Sequence, residues 1–209
     1  PQGYLHVGRG GDNERRLVKA VLALRELTGE FEKPKFFHYK PKLCAHSRNE
    51  QIGCTACIDV CSARAIRSDA SRKGKAKGVV AGGIVVEPHL CVGCGACTTV
   101  CPTGAMAFGY PDAVDLGKRI RTMLGTYQQA GGRDVALLLH SQAAGQRLLD
   151  ELGRAARVDR ALQGLQARVL PLALWHTASV GLDLWLAAIA QGASQIWVLL
   201  TDEEAPEYR

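Results

Sequence analysis

Aromatic residues are scarce in this sequence, and its basic residues are not gathered in one region. Phe, Tyr and Trp make up 6% of the 209 residues, and the net charge of +6 comes from 26 Lys and Arg against 20 Asp and Glu. Nucleic-acid-binding surfaces combine clustered basic side chains with aromatic side chains on which bases stack. The composition therefore argues against nucleic acid as a partner and favours an acidic protein partner.

Long apolar runs are also missing. No window holds the roughly 18 uninterrupted apolar residues of a membrane span, and the amino terminus lacks the charged and apolar regions of a secretory signal. We therefore predict a soluble protein without a membrane span. Because the sequence starts at Pro1 without Met and stops at Arg209 soon after an apolar run, we expect it to be a fragment of a longer chain.

The common motifs of catalysis and nucleotide binding are absent. No G-x-G-x-x-G follows a predicted strand, no P-loop occurs, and the histidines form no H-x-x-x-H or H-E-x-x-H array. No nucleophile–base pair is evident either. The sequence therefore predicts no catalytic residues.

Cysteine is confined to one part of the chain, since all eight cysteines lie between Cys44 and Cys101. Disulfides among them are disfavoured, because thiols two residues apart would close very small, strained rings. Clusters of C-x-x-C in a chain of this size indicate metal binding instead.

The cysteines belong to an internal repeat. A shift of 40 residues lays GCTACIDVCSARAI (53–66) onto GCGACTTVCPTGAM (93–106), so that three cysteines coincide: Cys54, Cys57 and Cys61 fall on Cys94, Cys97 and Cys101. The fourth breaks the register, since Cys91 stands three positions before Cys94 and Cys44 stands ten before Cys54. Each copy predicts a cysteine-bearing loop, a short helical turn and then a short strand. The predicted strands cover 65–67 in the first copy and 105–108 in the second.

Three cysteines on one tight turn fit a cubane iron–sulfur cluster, whose fourth iron must be bound from further away. Gly93, Gly95 and Ala96 would let the backbone approach the inorganic sulfides and donate N–H bonds to them. Structural zinc is the alternative, although zinc sites usually present two separated C-x-x-C pairs. We favour iron–sulfur clusters for both copies.

With its C-x-x-C-x-x-C-x-x-x-C-P run ending at Pro102, the region 44–106 resembles a bacterial-type ferredoxin domain with two [4Fe–4S] clusters. In that family the fourth cysteine of each motif binds the other cluster. The resemblance implies that cluster 1 uses Cys44, Cys54, Cys57 and Cys101. It implies that cluster 2 uses Cys91, Cys94, Cys97 and Cys61.

Two features depart from the family pattern. Ser62 replaces the proline expected after Cys61, and the widened loop leaves the first ligand of cluster 1 open between Cys44 and His46. We favour Cys44 and expect His46 to be solvated. The long loop also predicts that the two clusters differ in potential, because potentials depend on hydrogen bonds to sulfur and on solvent access.

The segments around the cysteines are less specific. Residues 12–27 predict a helix with Asp12 as its N-cap, and an extended lead-in follows. Its aromatics Phe36, Phe37 and Tyr39 either shield cluster 1 from water or simply pack in the core. The basic stretch 67–78 predicts an exposed loop, either a docking patch for an acidic redox partner or a plain solvated insertion. Residues 84–87 predict a strand that pairs with the strand after Cys61.

After residue 110 the pattern alternates between helices and strands. We predict helices over 112–130, 142–156 and 182–191 and strands over 134–140, 167–174 and 194–201. This alternation indicates right-handed crossovers and a parallel sheet covered by helices, and Pro171 is an unusual residue inside the second of these strands. The loop HTASVG (176–181) follows a strand end, where ligand loops often lie, but we favour a plain connection.

Residues 135–200 resemble the delta, or iron–sulfur, subunit of methyl-viologen-reducing hydrogenases, over VALLLHSQAAGQ and ARVLPLALWHTASVGLDLWLAAIAQGASQIWVLL. That family binds a [2Fe–2S] cluster through cysteines around these strand ends, and here the corresponding region has none. The resemblance implies a domain that has lost its cluster and serves as a docking scaffold.

Together these observations predict a mixed α+β and α/β chain. It would consist of an N-terminal helix and lead-in (1–43), a two-cluster ferredoxin-like domain (44–110) and a small three-layer α/β domain with a mainly parallel sheet (111–209). The function we predict is electron transfer through two [4Fe–4S] clusters, within a larger redox protein or a complex of dehydrogenase or hydrogenase type. The alternative is an oxidoreductase whose α/β domain binds a flavin or small substrate. Oxygen-sensitive clusters favour the cytoplasm.

Overall fold

The computed structural model describes residues 13–26, 29, 32–46, 53–69, 83–202 and 204. The chain divides into two compact units, 1–34 and 35–209. The first unit contains helix α1, Asn13–Glu26, which confirms the helix predicted over 12–27. Its predicted N-cap, Asp12, and most of the basic stretch 67–78 lie outside the described residues.

The cysteine-bearing part of the second unit is built from two pairs of short antiparallel strands. Strand β1 (Phe37–Tyr39) pairs with β4 (Met106–Phe108), and β2 (Ile66–Ser68) pairs with β3 (Ile84–Val86). The second pairing confirms the prediction for residues 84–87. The Tyr39 hydroxyl accepts a hydrogen bond from the Ile84 N–H at 3.3 Å and so joins the two strand pairs.

One short helix follows the second cysteine position of each copy, α2 (Ala56–Asp59) in the first and α3 (Ala96–Thr99) in the second. The side chains of Ile66, Ile84 and Met106 form a small buried core beneath them, which also includes Cys57. The cysteines thus border the core of this part of the molecule.

The remainder of the second unit alternates helices with parallel strands. The elements are α4 (Ala113–Gln129), β5 (Ala136–Ser141), α5 (Ala144–Val158), β6 (Val169–Leu174), α6 (Leu182–Ala190) and β7 (Gln195–Leu199). The strands form a parallel sheet in the order β6–β5–β7. This arrangement confirms the predicted parallel sheet.

The sheet is covered on both faces, which accounts for the completely buried central strand β5. Leu137 and Leu139 pack with residues of α4 and α6 on one face, while Leu138 packs with Leu149 of α5 on the other. Helix α4 begins after Asp112, whose carboxylate accepts a hydrogen bond from the Asp115 N–H at 2.8 Å. The result is three layers, helix, sheet and helix.

Strand β6 confirms the strand predicted over 167–174, although Pro171 lies inside it. The Ala136 N–H donates to the carbonyl of Arg168, and the Gln142 N–H donates to that of Leu174. Because alternate residues of a strand point their backbone groups to opposite sides, Pro171 turns its nitrogen to the open edge of the sheet. A proline there removes no hydrogen bond from the ladder.

Within the described ranges, none of the helices has the length and apolar character that crossing a lipid bilayer requires.

Candidate iron–sulfur centres

The structure gathers the eight cysteines around two separate cavities. Cys44, Cys54, Cys57 and Cys101 line the first, together with Ala45, Ala56, Pro102 and Thr103. Cys61, Cys91, Cys94 and Cys97 line the second, which has largely apolar walls. Each cavity therefore receives three cysteines from one copy of the repeat and one cysteine from the other.

A second repeated motif relates Cys44 to Cys91 despite their different spacing to the next cysteine. The sequence reads PKLC at 41–44 and PHLC at 88–91. Both form a turn, since the Cys44 N–H donates to the carbonyl of Pro41 and the Cys91 N–H donates to that of Glu87, both at 3.1 Å. The P-x-L-C pattern was overlooked in the sequence reasoning, and it indicates that Cys44 rather than His46 is the counterpart of Cys91.

The widened loop between Cys44 and Cys54 closes at its base. A Cβ placed on Gly53 would lie 2.6 Å from the carbonyl oxygen of Ala45, so the two ends of the loop run side by side. This approach explains how cysteines ten residues apart reach the same cavity.

His46 fastens the base of this loop. Its side chain is 1% exposed, its Nδ1 lies 3.0 Å from the Cys54 carbonyl oxygen, and its Nε2 lies 2.7 Å from the Ser68 hydroxyl. Because a carbonyl oxygen only accepts, Nδ1 carries the proton of this bond. The expectation that His46 is solvated was wrong, because the turn after Cys44 directs the ring inward between Cys54 and β2.

Backbone N–H groups point at one sulfur in each copy. The Ala65 N–H lies 3.2 Å from Cys61 Sγ, and the Met106 N–H lies 3.4 Å from Cys101 Sγ. Burial raises the pKa of Cys101, but hydrogen bonds from Met106, Thr103 and Ala105 outweigh it, and the net pKa is lowered. Such bonds stabilise a thiolate, which is the form that binds iron.

One thiol of each copy has a strongly raised pKa. Burial, followed by the charges of Cys44, Cys101 and Cys54, raises the pKa of Cys57 to about 11. Burial raises the pKa of Cys97 to about 12, and the charges of Cys94 and Cys91 are the next largest causes. Thiolates held this close together repel one another, and a bound cationic iron centre removes that penalty.

The cysteines are grouped but do not converge on a single point. Across the described part of the chain, which includes all eight cysteines, no three His, Cys, Asp or Glu side chains are placed to bind one metal ion. Structural zinc needs four ligands around one ion, whereas a cubane takes one thiolate on each of four irons and so spreads its ligands further apart. Four cysteines around each cavity match the four irons of a cubane.

An aromatic cluster lies beside the second cavity and contributes Phe36 to its wall. The Phe36 ring lies 5.3 Å from Trp175 and 5.7 Å from Tyr110, and a Cβ on Gly93 would come within 2.6 Å of the Phe36 ring. The expectation that Phe36 and Phe37 shield cluster 1 was wrong, because both line the second cavity. Because β1 pairs with β4, the strand that follows the second cysteine motif, Phe36 and Phe37 lie with the second copy although they precede Cys44 in the sequence.

The loop 176–181 packs against the second cysteine loop. Its Ser179 meets Gly95, and its Gly181 lies next to Thr99 of α3. The loop is itself fixed by a short turn in which His176 Nδ1 accepts a hydrogen bond from the Ala178 N–H at 3.1 Å. The loop therefore connects β6 to α6, as we predicted, and in addition joins the α/β part to the second cysteine motif.

Comparisons with known proteins agree with this geometry. A family model described as a 4Fe-4S dicluster domain matches residues 52–105, and another with the same description matches residues 83–147. The first match begins after Cys44, so the placement of this cysteine rests on the structure and on the P-x-L-C motif. No curated protein and no solved structure gave a significant match to the chain.

Two cavities ringed by four cysteines each, N–H groups directed at sulfur, and the two family matches lead to one conclusion. The cysteine-bearing part of this chain is a two-cluster ferredoxin-like domain that carries two [4Fe–4S] clusters and serves iron–sulfur electron transfer.

Proposed function

We propose that this chain is an electron-relay module of a larger redox protein or complex, with the ligand sets Cys44, Cys54, Cys57 and Cys101 for cluster 1 and Cys91, Cys94, Cys97 and Cys61 for cluster 2. The observation that carries the assignment is the sharing of each cavity by cysteines of both copies. When bound, such clusters accept and release single electrons. Because Cys61 binds with the second copy and Cys101 with the first, the two copies are held together and the two clusters would lie close to each other.

The residues around each cavity have distinct tasks in this relay. Cysteine sulfurs hold the irons, and the N–H groups of Ala65 and Met106 donate to Cys61 and Cys101. Donors to sulfur stabilise the more negative, reduced state and so raise a cluster potential. His46 hydrogen-bonds the carbonyl of Cys54 beside the first cavity, and Phe36 lines the second, so we expect unequal potentials.

Exposed apolar side chains in the α/β part support a place in a larger assembly. Leu182, Leu186 and Ile189 recur on one face of α6, and all three are exposed. Contiguous apolar patches of this kind are typical of surfaces covered by another protein or domain. The resemblance of residues 135–200 to a hydrogenase iron–sulfur subunit points in the same direction.

The alternative is an oxidoreductase that holds a flavin or small substrate in its α/β part. Open parallel sheets bind such ligands at the carboxyl ends of their strands. Here the loop that leaves β6 packs on α3 through Ser179 and Gly181, which supports the relay. Absence of flavin absorbance from the purified protein would agree with it. We also propose a reducing compartment, the cytoplasm, because exposed cubanes are damaged by oxygen.

The test is metal analysis on anaerobically purified protein. We expect about eight irons and about eight acid-labile sulfides per chain, and an EPR spectrum after dithionite reduction that shows two spin-coupled reduced cubanes. Zinc without sulfide would overturn the proposal.

A further inference from the structure

An exposed leucine stands immediately before the first cysteine of each copy. Leu43 precedes Cys44 and is 42% exposed, and Leu90 precedes Cys91 and is 54% exposed. The P-x-L-C motif makes the two leucines equivalent. Neighbouring Cα atoms are about 3.8 Å apart, so each leucine marks a point of the surface close to one cluster ligand.

The charges around these two leucines differ. Lys40 and Lys42 come shortly before Leu43 in the sequence, and both are exposed. The equivalent positions next to Leu90 hold Glu87 and His89. The rim of the first cavity also exposes Ala45, Pro102 and Thr103, none of which is acidic. The described surface before Cys44 thus combines an apolar side chain, Leu43, with two lysines.

We infer that this surface, formed by Lys40, Lys42, Leu43, Ala45, Pro102 and Thr103 and called the basic face below, docks an acidic redox protein that exchanges electrons with cluster 1. The inference rests on the proposed relay. Interfaces of this kind combine an apolar contact at the centre with complementary charges around it. Docking beside Cys44 brings the partner's flavin or metal centre close to a cluster ligand.

The exchange itself is simple. One electron leaves the reduced cluster 1, and the oxidised cofactor of the docked protein gains it, or the reverse. No bond to the chain is made or broken. Cluster 2, against which the α/β loop 176–181 packs, then serves the inner end of the relay.

The experiment uses stopped-flow oxidation of the dithionite-reduced holoprotein by two protein probes of opposite charge, an acidic flavodoxin and a basic cytochrome c. The double variant Lys40→Glu/Lys42→Glu should slow the reaction with flavodoxin about tenfold at low ionic strength. It should accelerate the reaction with cytochrome c. Both differences should shrink in about 0.5 M salt, since exposed charges are then screened.

Two matched controls separate a local face from a general charge effect. Arg154→Glu/Arg157→Glu makes the same charge change on exposed residues of α5 and should leave the flavodoxin rate within about twofold of the wild type. Leu43→Ser should lower this rate, whereas the equivalent change at the other end, Leu90→Ser, should not.

The inference is overturned if the two charge reversals slow flavodoxin equally, or if Leu90→Ser slows it as much as Leu43→Ser. In either case the clusters and the relay remain in place, because iron content and the EPR spectrum report on them separately. Loss of the clusters from the wild-type protein would instead refute the proposed function.

Discussion

Ser179 packs so closely on Gly95 that a Cβ at residue 95 would lie 2.5 Å from the Ser179 Cβ. Gly95 lies between two cysteines of the second copy and has a left-handed backbone, with φ of +81°. Thr55, its equivalent in the first copy, has φ of −110°. The α/β part therefore packs directly on the second cysteine loop, which adds to the inequality expected of the clusters.

Gly95→Ala should destabilise the protein and perturb cluster 2. A left-handed conformation costs a residue with a Cβ about 1–2 kcal/mol, and forcing that Cβ against Ser179 adds about 1–3 kcal/mol. We expect a lower apparent melting temperature under anaerobic conditions. The EPR signal of cluster 2 should broaden or weaken, while that of cluster 1 should persist.

Gly104→Ala is the matched control for this prediction. Gly104 also has a left-handed backbone, with φ of +64°, but a Cβ there would meet nothing within 4 Å. This variant should show the conformational cost alone and keep both EPR signals. Equal melting temperatures for the two variants would mean that the Ser179 contact contributes nothing.

His46→Ala should weaken cluster 1 specifically. The change leaves the Cys54 carbonyl without its buried donor and costs about 1–3 kcal/mol, and it releases the base of the widened loop. His46→Asn can place an amide N–H near the position of Nδ1 and should retain more of cluster 1. We would follow the potential and iron occupancy of each cluster, and equal losses from both clusters would contradict a local role.

The two cysteine motifs could be recognised in the sequence because ligand spacing is a local property, whereas the assignment of Cys61 and Cys101 to the opposite clusters came from the family resemblance. Three thiolates on one turn can be recognised without knowledge of the fold, and the repeat supplied the second copy. The strand pair around Ile66 and Ile84 and the parallel sheet followed from hydrophobic patterns and connection lengths.

What the sequence did not show depends on contacts between distant residues. His46 differs from a solvated loop histidine only through Cys54 and Ser68, and the second of these lies 22 positions away. Phe36 shields the second cavity because β1 pairs with β4, a partner that is about 70 residues along the chain. The place of Pro171 inside β6 could not be explained from the sequence, because a sequence does not show which side of a strand is open.

Trp175→Ala should raise the potential of cluster 2. Trp175 packs near Tyr110 and on Phe36, which lines the second cavity, so we expect its removal to let water approach that cavity past Phe36. A reduced cubane with four thiolates is more negative than the oxidised form, and water stabilises the more highly charged state. Trp197→Ala on β7 is the control and should leave both potentials unchanged. Redox titration followed by EPR would test this, and a shift of cluster 1 alone would contradict it.

The exchange of ligands between the two copies is tested by removing cysteines in pairs. Cys101 belongs to the second copy by sequence but lies with Cys54 around the first cavity. Cys101→Ala should therefore lower the iron content from about eight to about four and leave the cluster 2 signal.

Adding Cys54→Ala to Cys101→Ala should remove little more iron, because both residues serve the same cluster, and effects within one unit are not additive. Adding Cys94→Ala instead should remove nearly all of it. If each copy bound its own cluster, the two double variants would exchange their results. The comparison thus separates the shared arrangement from a local one without a structure of the loaded protein.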